Sequence, residues 1–190
     1  MEYPELYFEK DVEWYDWLLQ NHDIYNGAYL IFYKLELNIP TMRWEEAVKV
    51  ALCFGWIDST VKSLGNGKRQ QYFCPRNPKG IWSALNKRYV KELITSNLMQ
   101  EPGYMIIENA KENGMWTFMD DVEEGIIPAD LQKAFDKNEL AYENFLNFSP
   151  GYRKSYLSWL KSAKRDETRQ KRITEIIKYC RMNSKNRGGY

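Results

Sequence analysis

The stretch 43–74 constrains the fold more than any other part of the chain. Trp44, Ala47, Val48, Ala51 and Leu52 recur at the spacing of one helix face. Glu45 and Glu46 stand at the positive end of that helix's dipole, and Gly55 supplies its stop. The period then changes. Residues 57–64 and 68–74 flank Gly65, Asn66 and Gly67, a triplet that supplies the positive φ of a tight turn, so a β-hairpin is predicted. With Leu64 set opposite Lys68, Asp58 faces Cys74, Thr60 faces Tyr72 and Lys62 faces Gln70, all on one side of the ribbon. Asp58 then lies close to Pro75 and Arg76. A helix running directly into a hairpin makes the class α+β.

The remainder is mostly helical in period. Val12, Tyr15, Leu18 and Leu19 fit a short helix, and 28–33 reads as a buried strand. Further helices are predicted over 81–95, 103–113, 129–135 and 139–147. Another starts at Pro150, with a stripe of Tyr152, Tyr156, Leu157, Leu160 and Ala163. A last one is capped by Asp166 and buries Ile173, Ile176, Ile177 and Cys180. The predicted fold is therefore α+β and predominantly helical, a small antiparallel hairpin or sheet packed with helices and followed by a C-terminal helical hairpin. One hydrophobic core suffices for 190 residues, so a single domain over 1–182 is expected. It comprises an α+β part (1–116), an acidic surface linker (117–128) and a helical part (129–182), with a fraying tail at 183–190.

Composition excludes several classes. An aromatic share of 15% is too high for a disordered chain, and a net charge of +1 gives the whole molecule no bias towards nucleic acid or anionic membrane. The first thirty residues carry Glu5, Glu9, Asp11, Glu13 and Asp16 in place of a basic start and apolar run, and no stretch has the length of a membrane span. Cys53, Cys74 and Cys180 form no CxxC pair, which argues against a disulfide framework or a zinc site. A cytoplasmic setting is expected, with no metal and no cofactor.

Four blocks carry a family resemblance: the stretch from Lys34; Glu46-Ala47-Val48 with Ala51-Leu52-Cys53-Phe54-Gly55-Trp56-Ile57-Asp58-Ser59; Pro75-Arg76 with Trp82-Ser83 and Asn86; and Ala163-Lys164 with Glu167-Thr168-Arg169-Gln170-Lys171-Arg172-Ile173. In order and spacing they resemble the YdeI/OmdA family (bacteriocin-protection, YdeI or OmpD-associated). Gly80, Asn97 and Cys74 depart from the pattern, and Cys74 in place of a small hydroxyl residue argues against a nucleophile there. The resemblance implies bacteriocin or antimicrobial-peptide tolerance and, by name alone, a porin partner. It implies no established reaction.

Two constellations stand out. Trp56, Asp58, Lys62, Arg76, Trp82, Ser83 and Asn86 converge under the hairpin register into an aromatic-walled polar pocket for a small planar or anionic ligand or a peptide. The alternative makes the tryptophans core, Asp58 and Arg76 a structural pair, and Ser83 and Asn86 a cap. Arg165, Arg169, Lys171 and Arg172 form a basic stripe suited to nucleic acid or an acidic protein, or else a solvated helix face. Catalytic schemes are thin. His22 is the only histidine, no catalytic motif occurs, and Asp58 as acid or base lacks a partner at diagnostic spacing. A noncatalytic binding protein is the leading expectation, with no catalytic residue assigned.

Overall fold

The computed structural model describes residues 3–185, and the end of the expected tail, 186–190, lies outside the described residues. The chain divides into two compact units, Met1–Phe118 and Met119–Tyr190, each with its own core. The division falls at the start of the acidic stretch.

The first unit is α+β. Strand β1 (Glu5–Tyr7) precedes helix α1 (Asp11–Asn21), strand β2 (Ala28–Tyr33) and helix α2 (Trp44–Cys53). The hairpin β3 (Trp56–Gly65) and β4 (Lys68–Pro75) follows, then α3 (Ala84–Thr95) and α4 (Glu101–Glu112). The four strands form a mixed sheet in the order β1-β2-β4-β3, with β1 parallel to β2 and the other pairs antiparallel. β1 escaped the sequence reading because three residues are too few to show a period. Ala28, Leu30 and Phe32 pair with Phe73, Gln71 and Arg69, and the buried members of this set give one face of the sheet to the core. Helix α2 is enclosed almost all round, burying Ala47, Val48, Val50, Ala51, Leu52 and Cys53. Helix α1 turns Tyr15 and Leu18 of the predicted stripe towards the core but rotates the stripe's edges outward. Trp14 and Leu18 are buried, and Val12 and Leu19 are exposed, because the large indole takes the core position.

Two glycines permit the turn of the chain beneath α2. Gly55 sits at φ +70°, which halts the helix and aims the chain into β3. Gly103 lies inside α4, where a Cβ would meet the Cys53 carbonyl oxygen and the Met99 sulfur, each at 2.4 Å. The Gln100 N–H donates to that same carbonyl at 3.1 Å, so α4 begins against the backbone of α2.

The second unit is helical among the described residues: α5 (Asp120–Glu123), α6 (Ala129–Phe135), α7 (Glu139–Asn147), α8 (Pro150–Lys161) and α9 (Asp166–Arg181). The expected linker is thus partly structured. Val122 is buried, Asp121 pairs with Lys161, and Glu123 pairs with Lys154 at 2.7 Å. Helices α8 and α9 pack as the predicted hairpin, although Tyr152 is exposed and Ala163 lies beyond the end of α8. Tyr156, Leu157, Leu160, Ile173, Ile176 and Cys180 are buried. No helix of the described residues is long and apolar enough to cross a membrane.

Candidate functional site

The first set of sequence-selected residues is only partly brought together. A β-bulge between Asp58 and Val61 shifts the register, so Lys62 pairs with Gln70 as predicted while Asp58 pairs with Phe73 and not with Cys74. One residue of slip moves a side chain to the other face. Asp58 therefore shares the face of Phe73, and Lys62 stands on the opposite, exposed one. Trp56 is 1% exposed in the core, edge-on to Trp14 and Trp17, and its Nε1–H donates to the His22 carbonyl at 3.2 Å. Trp82 is equally buried and packs against Trp116. Ser83 caps α3, its Oγ accepting from the Asn86 N–H at 3.2 Å.

Arg76 is the anomalous member. It is 7% exposed, with its guanidinium 3.7 Å from the Trp82 ring centre, and Nη2 donates to the Ile81 carbonyl at 2.8 Å. Nε and Nη1 are buried without a hydrogen-bond partner. Burial lowers its pKa to about 10, and the charge of Asp58 opposes that shift. Asp58 itself accepts from Trp44 Nε1 at 2.9 Å and from Gln71 Nε2 at 3.2 Å. Both carboxylate contacts are hydrogen bonds to partly or wholly buried donors, which fixes the Trp44 ring.

A cavity of about 670 Å³ in the first unit lies between the Leu35–Leu37 turn, the start of α2 and the tip of the hairpin. Phe32 and Trp44 provide aromatic walls, with Val61 and Leu35 beside them. Lys34, Arg43, Lys68 and Arg69 line it, and no carboxylate does. None of these four cations is in an ion pair among the described residues. Arg69 lies over the Phe32 ring at 5.1 Å, which holds its guanidinium at the wall. Asp58 is the member of the selected set joined to the cavity, through Trp44. The sequence reading passed over these residues because their basic side chains are scattered over 34–69 and converge only when β2, α2 and the hairpin pack.

In the second unit the basic stripe is largely committed to internal contacts. Arg169 gives Asp130 two hydrogen bonds, 2.5 Å from Nε and 2.9 Å from Nη2. Arg172 donates to the Trp159 carbonyl and, at 2.8 Å, to Ser162 Oγ, with its guanidinium over the Trp159 ring. Arg165 and Lys171 are exposed. The Arg169 hydrogen bonds hold the Asp130 carboxyl below its usual range, against the opposing effect of burial. A depressed folded pKa contributes stability that is present above the unfolded carboxylate value of about 4 and is lost as pH falls through the lower folded value. Asp130→Asn should accordingly flatten the acid limb of the stability profile of this unit below about pH 4, read by chemical denaturation at stepped pH. An unchanged limb would show that Asp130 is not the titrating group.

His22 is half-buried, its Nδ1 2.9 Å from the Leu18 carbonyl and its ring against Phe54, so it serves the end of α1. Cys53 and Cys180 are buried thiols whose pKa burial pushes up to about 12. Neither is a nucleophile at neutral pH. No group of residues able to hold a metal ion occurs among the described residues.

Residues 6–106 match the model of a domain of unknown function, DUF8412. The chain belongs to the DUF8412 family. Residues 124–183 match the family described as Bacteriocin-protection, YdeI or OmpD-Associated, which bears out the resemblance read from the sequence. The block Ala163–Ile173 falls within that second match, and the blocks of 46–59 and 75–86 fall within the DUF8412 segment. No curated protein and no solved structure matches the chain. The DUF8412 segment contains every residue of the basic, aromatic cavity, and the YdeI/OmdA segment contains the Asp130–Arg169 pair.

Proposed function

We propose that the chain is a noncatalytic binding protein whose DUF8412 unit takes an anionic small molecule with a flat apolar part into the cavity between Phe32, Trp44 and the hairpin tip. The observation that carries this reading is the lining itself: four unpaired cations, no acid, and two aromatic walls in one concavity. Unpaired like charges drawn together repel unless an anion joins them, and a guanidinium offers a carboxylate or phosphate two parallel hydrogen bonds. The ring faces offer stacking area at little conformational cost. The apolar wall makes a bare inorganic anion a poor match, and the volume suits a drug-sized ligand. A role in bacteriocin tolerance follows from the description of the second matched family and rests on that description. A porin partner and a cytoplasmic setting belong to the same proposal.

The test is a thermal-shift and calorimetric screen of the full chain against aromatic carboxylates, sulfonates and phosphate monoesters, each beside its neutral amide or alcohol. Anionic members should raise Tm and their neutral counterparts should not. The double substitution Arg43→Glu, Arg69→Glu should weaken a selected anion at least about 100-fold, as losing two charge-assisted contacts implies. Binding that survives the double substitution would remove the cavity as the site.

A further inference from the structure

The geometry points to a second, separate binding surface: a groove along α9 that docks an acidic amphipathic helix of a partner protein. Two adjoining depressions, about 370 and 480 Å³, share Thr174 and Ile177 and so run as one groove along this helix. Its α9 wall presents Gln170, Ile173, Thr174, Ile177, Lys178 and Arg181, the i, i+3, i+4, i+7, i+8 and i+11 positions of a single face. Leu140 of α7 and Met182 beyond α9 complete the apolar part, and they are 57% and 67% exposed. With the half-buried Ile177 they form one apolar patch beside the helix, the kind of surface a partner covers.

The charges decide what covers it. Lys133 and Lys137, from α6 and the turn after it, line one depression, and Lys178 and Arg181, from α9, line the other. None of the four is in an ion pair among the described residues. The one lining carboxylate, Asp130, is already neutralised by Arg169. The groove is thus apolar around Ile177, which both depressions share, with a pair of cations towards each end. A helix with an apolar stripe flanked by glutamates or aspartates complements it on both counts, and helix-in-groove is the recognition mode an all-helical unit has available, since it offers no sheet edge. From Gln170 to Met182 the groove runs about 18 Å at 1.5 Å per residue, which matches about three turns of a docked helix. Nucleic acid fits less well, because phosphates would satisfy the cations and leave Leu140 and Met182 without an apolar partner. The stripe read from the sequence placed the basic surface at Arg165 to Arg172. The unpaired cations lie instead on either side of Ile177.

The experiment uses the full chain and a synthetic peptide of about 14 residues, with leucines at i, i+3, i+7 and i+10 and glutamates between, as a stand-in for the partner helix. Affinity is read by fluorescence anisotropy and the site by amide chemical shifts. Shifts are expected at Thr174, Ile177, Lys178 and Leu140, and the peptide should gain helicity on binding. Lys178→Glu with Arg181→Glu should weaken binding at least about tenfold, as reversal of close interfacial charges does. Leu140→Asp should do so as well through the apolar part of the groove while keeping the parent Tm, and the two charge reversals, which stand in the last turn of α9, should lower Tm by only a few degrees. Equal binding of a scrambled peptide of the same composition would overturn the proposal, since it would reduce the effect to net charge. So would tighter binding of duplex DNA at the same residues, or shifts confined to the first unit.

Discussion

Gly103→Ala should lower the stability of the first unit by about 2–4 kcal/mol, the cost of forcing volume into a closed interface. Helix propensity alone predicts the opposite, because alanine is better than glycine inside a helix by about 1 kcal/mol. The sign is decided by what a Cβ would meet. The Cys53 and Leu52 carbonyl oxygens stand 2.4 and 2.8 Å from its position, and both are backbone atoms at the end of α2 that cannot swing aside. Relief requires α4 to move off α2, which also stretches the Gln100 N–H bond to the Cys53 carbonyl and opens the packing of Ile107 and Ala110 on the core. Gly151→Ala in the first turn of α8 is the control. Nothing lies within 4 Å of a Cβ there, so a gain of up to about 0.5 kcal/mol is expected. Urea titrations followed by tryptophan fluorescence separate the two, because six of the seven tryptophans belong to the first unit and Trp159 alone to the second. A Gly103→Ala protein as stable as its parent would mean that the two helices stand farther apart.

That contact shows where a sequence stops being informative. Gly103 reads as a helix start on pattern grounds, since it precedes the apolar stripe and follows Pro102, and only the crossing of α4 over the end of α2 gives it a packing role. The elements with a strong period were legible: β2, α2, the hairpin and α6 to α9 lie within a residue or two of their predicted places. Local pattern specifies local structure only approximately: Lys62 does face Gln70, but the turn sets Gly65 opposite Lys68 where Leu64 was expected, and a second irregularity between Ser63 and Gly65 restores the register. The bulge after Asp58 was not legible, because one extra residue in a strand leaves no compositional trace, yet it decides which side chains share a face. Of the selected pocket, the Arg76–Trp82 stack and the influence of Asp58 on Arg76 were within reach of the hairpin argument, whereas Lys62 was lost to the bulge. The basic cavity and the α9 groove are products of tertiary packing: each draws its cations from several elements, and no single window of sequence contains them.

Asp58→Ala should cost the first unit about 2–3 kcal/mol, and Asp58→Asn about 1 kcal/mol, since the amide keeps an acceptor for Trp44 and loses only the charge. The two losses separate the two roles of this carboxylate. Its hydrogen-bond role is to hold Trp44 Nε1, a partly buried donor that alanine would leave without a partner. Its charge role is towards Arg76, a buried guanidinium with one hydrogen bond, an aromatic ring against its face and two unbonded nitrogens. Such a cation is carried at a cost that the negative charge of Asp58 offsets in part. Arg76→Met should therefore leave stability unchanged or raise it slightly, the thioether keeping contact with Trp82. In the Arg76→Met background the penalty of Asp58→Asn should vanish while that of Asp58→Ala falls only to the share owed by Trp44. A double-mutant cycle measured by chemical denaturation yields the coupling directly. If the asparagine penalty persists at full size without the arginine, the charge of Asp58 serves something other than Arg76, and the cation-lined cavity that Trp44 borders is then the next candidate. Ligand binding distinguishes the roles once more. Asp58→Ala should weaken an anion held in the cavity by freeing the Trp44 wall, whereas Arg76→Met, which reaches the cavity through no contact, should leave that affinity as it was.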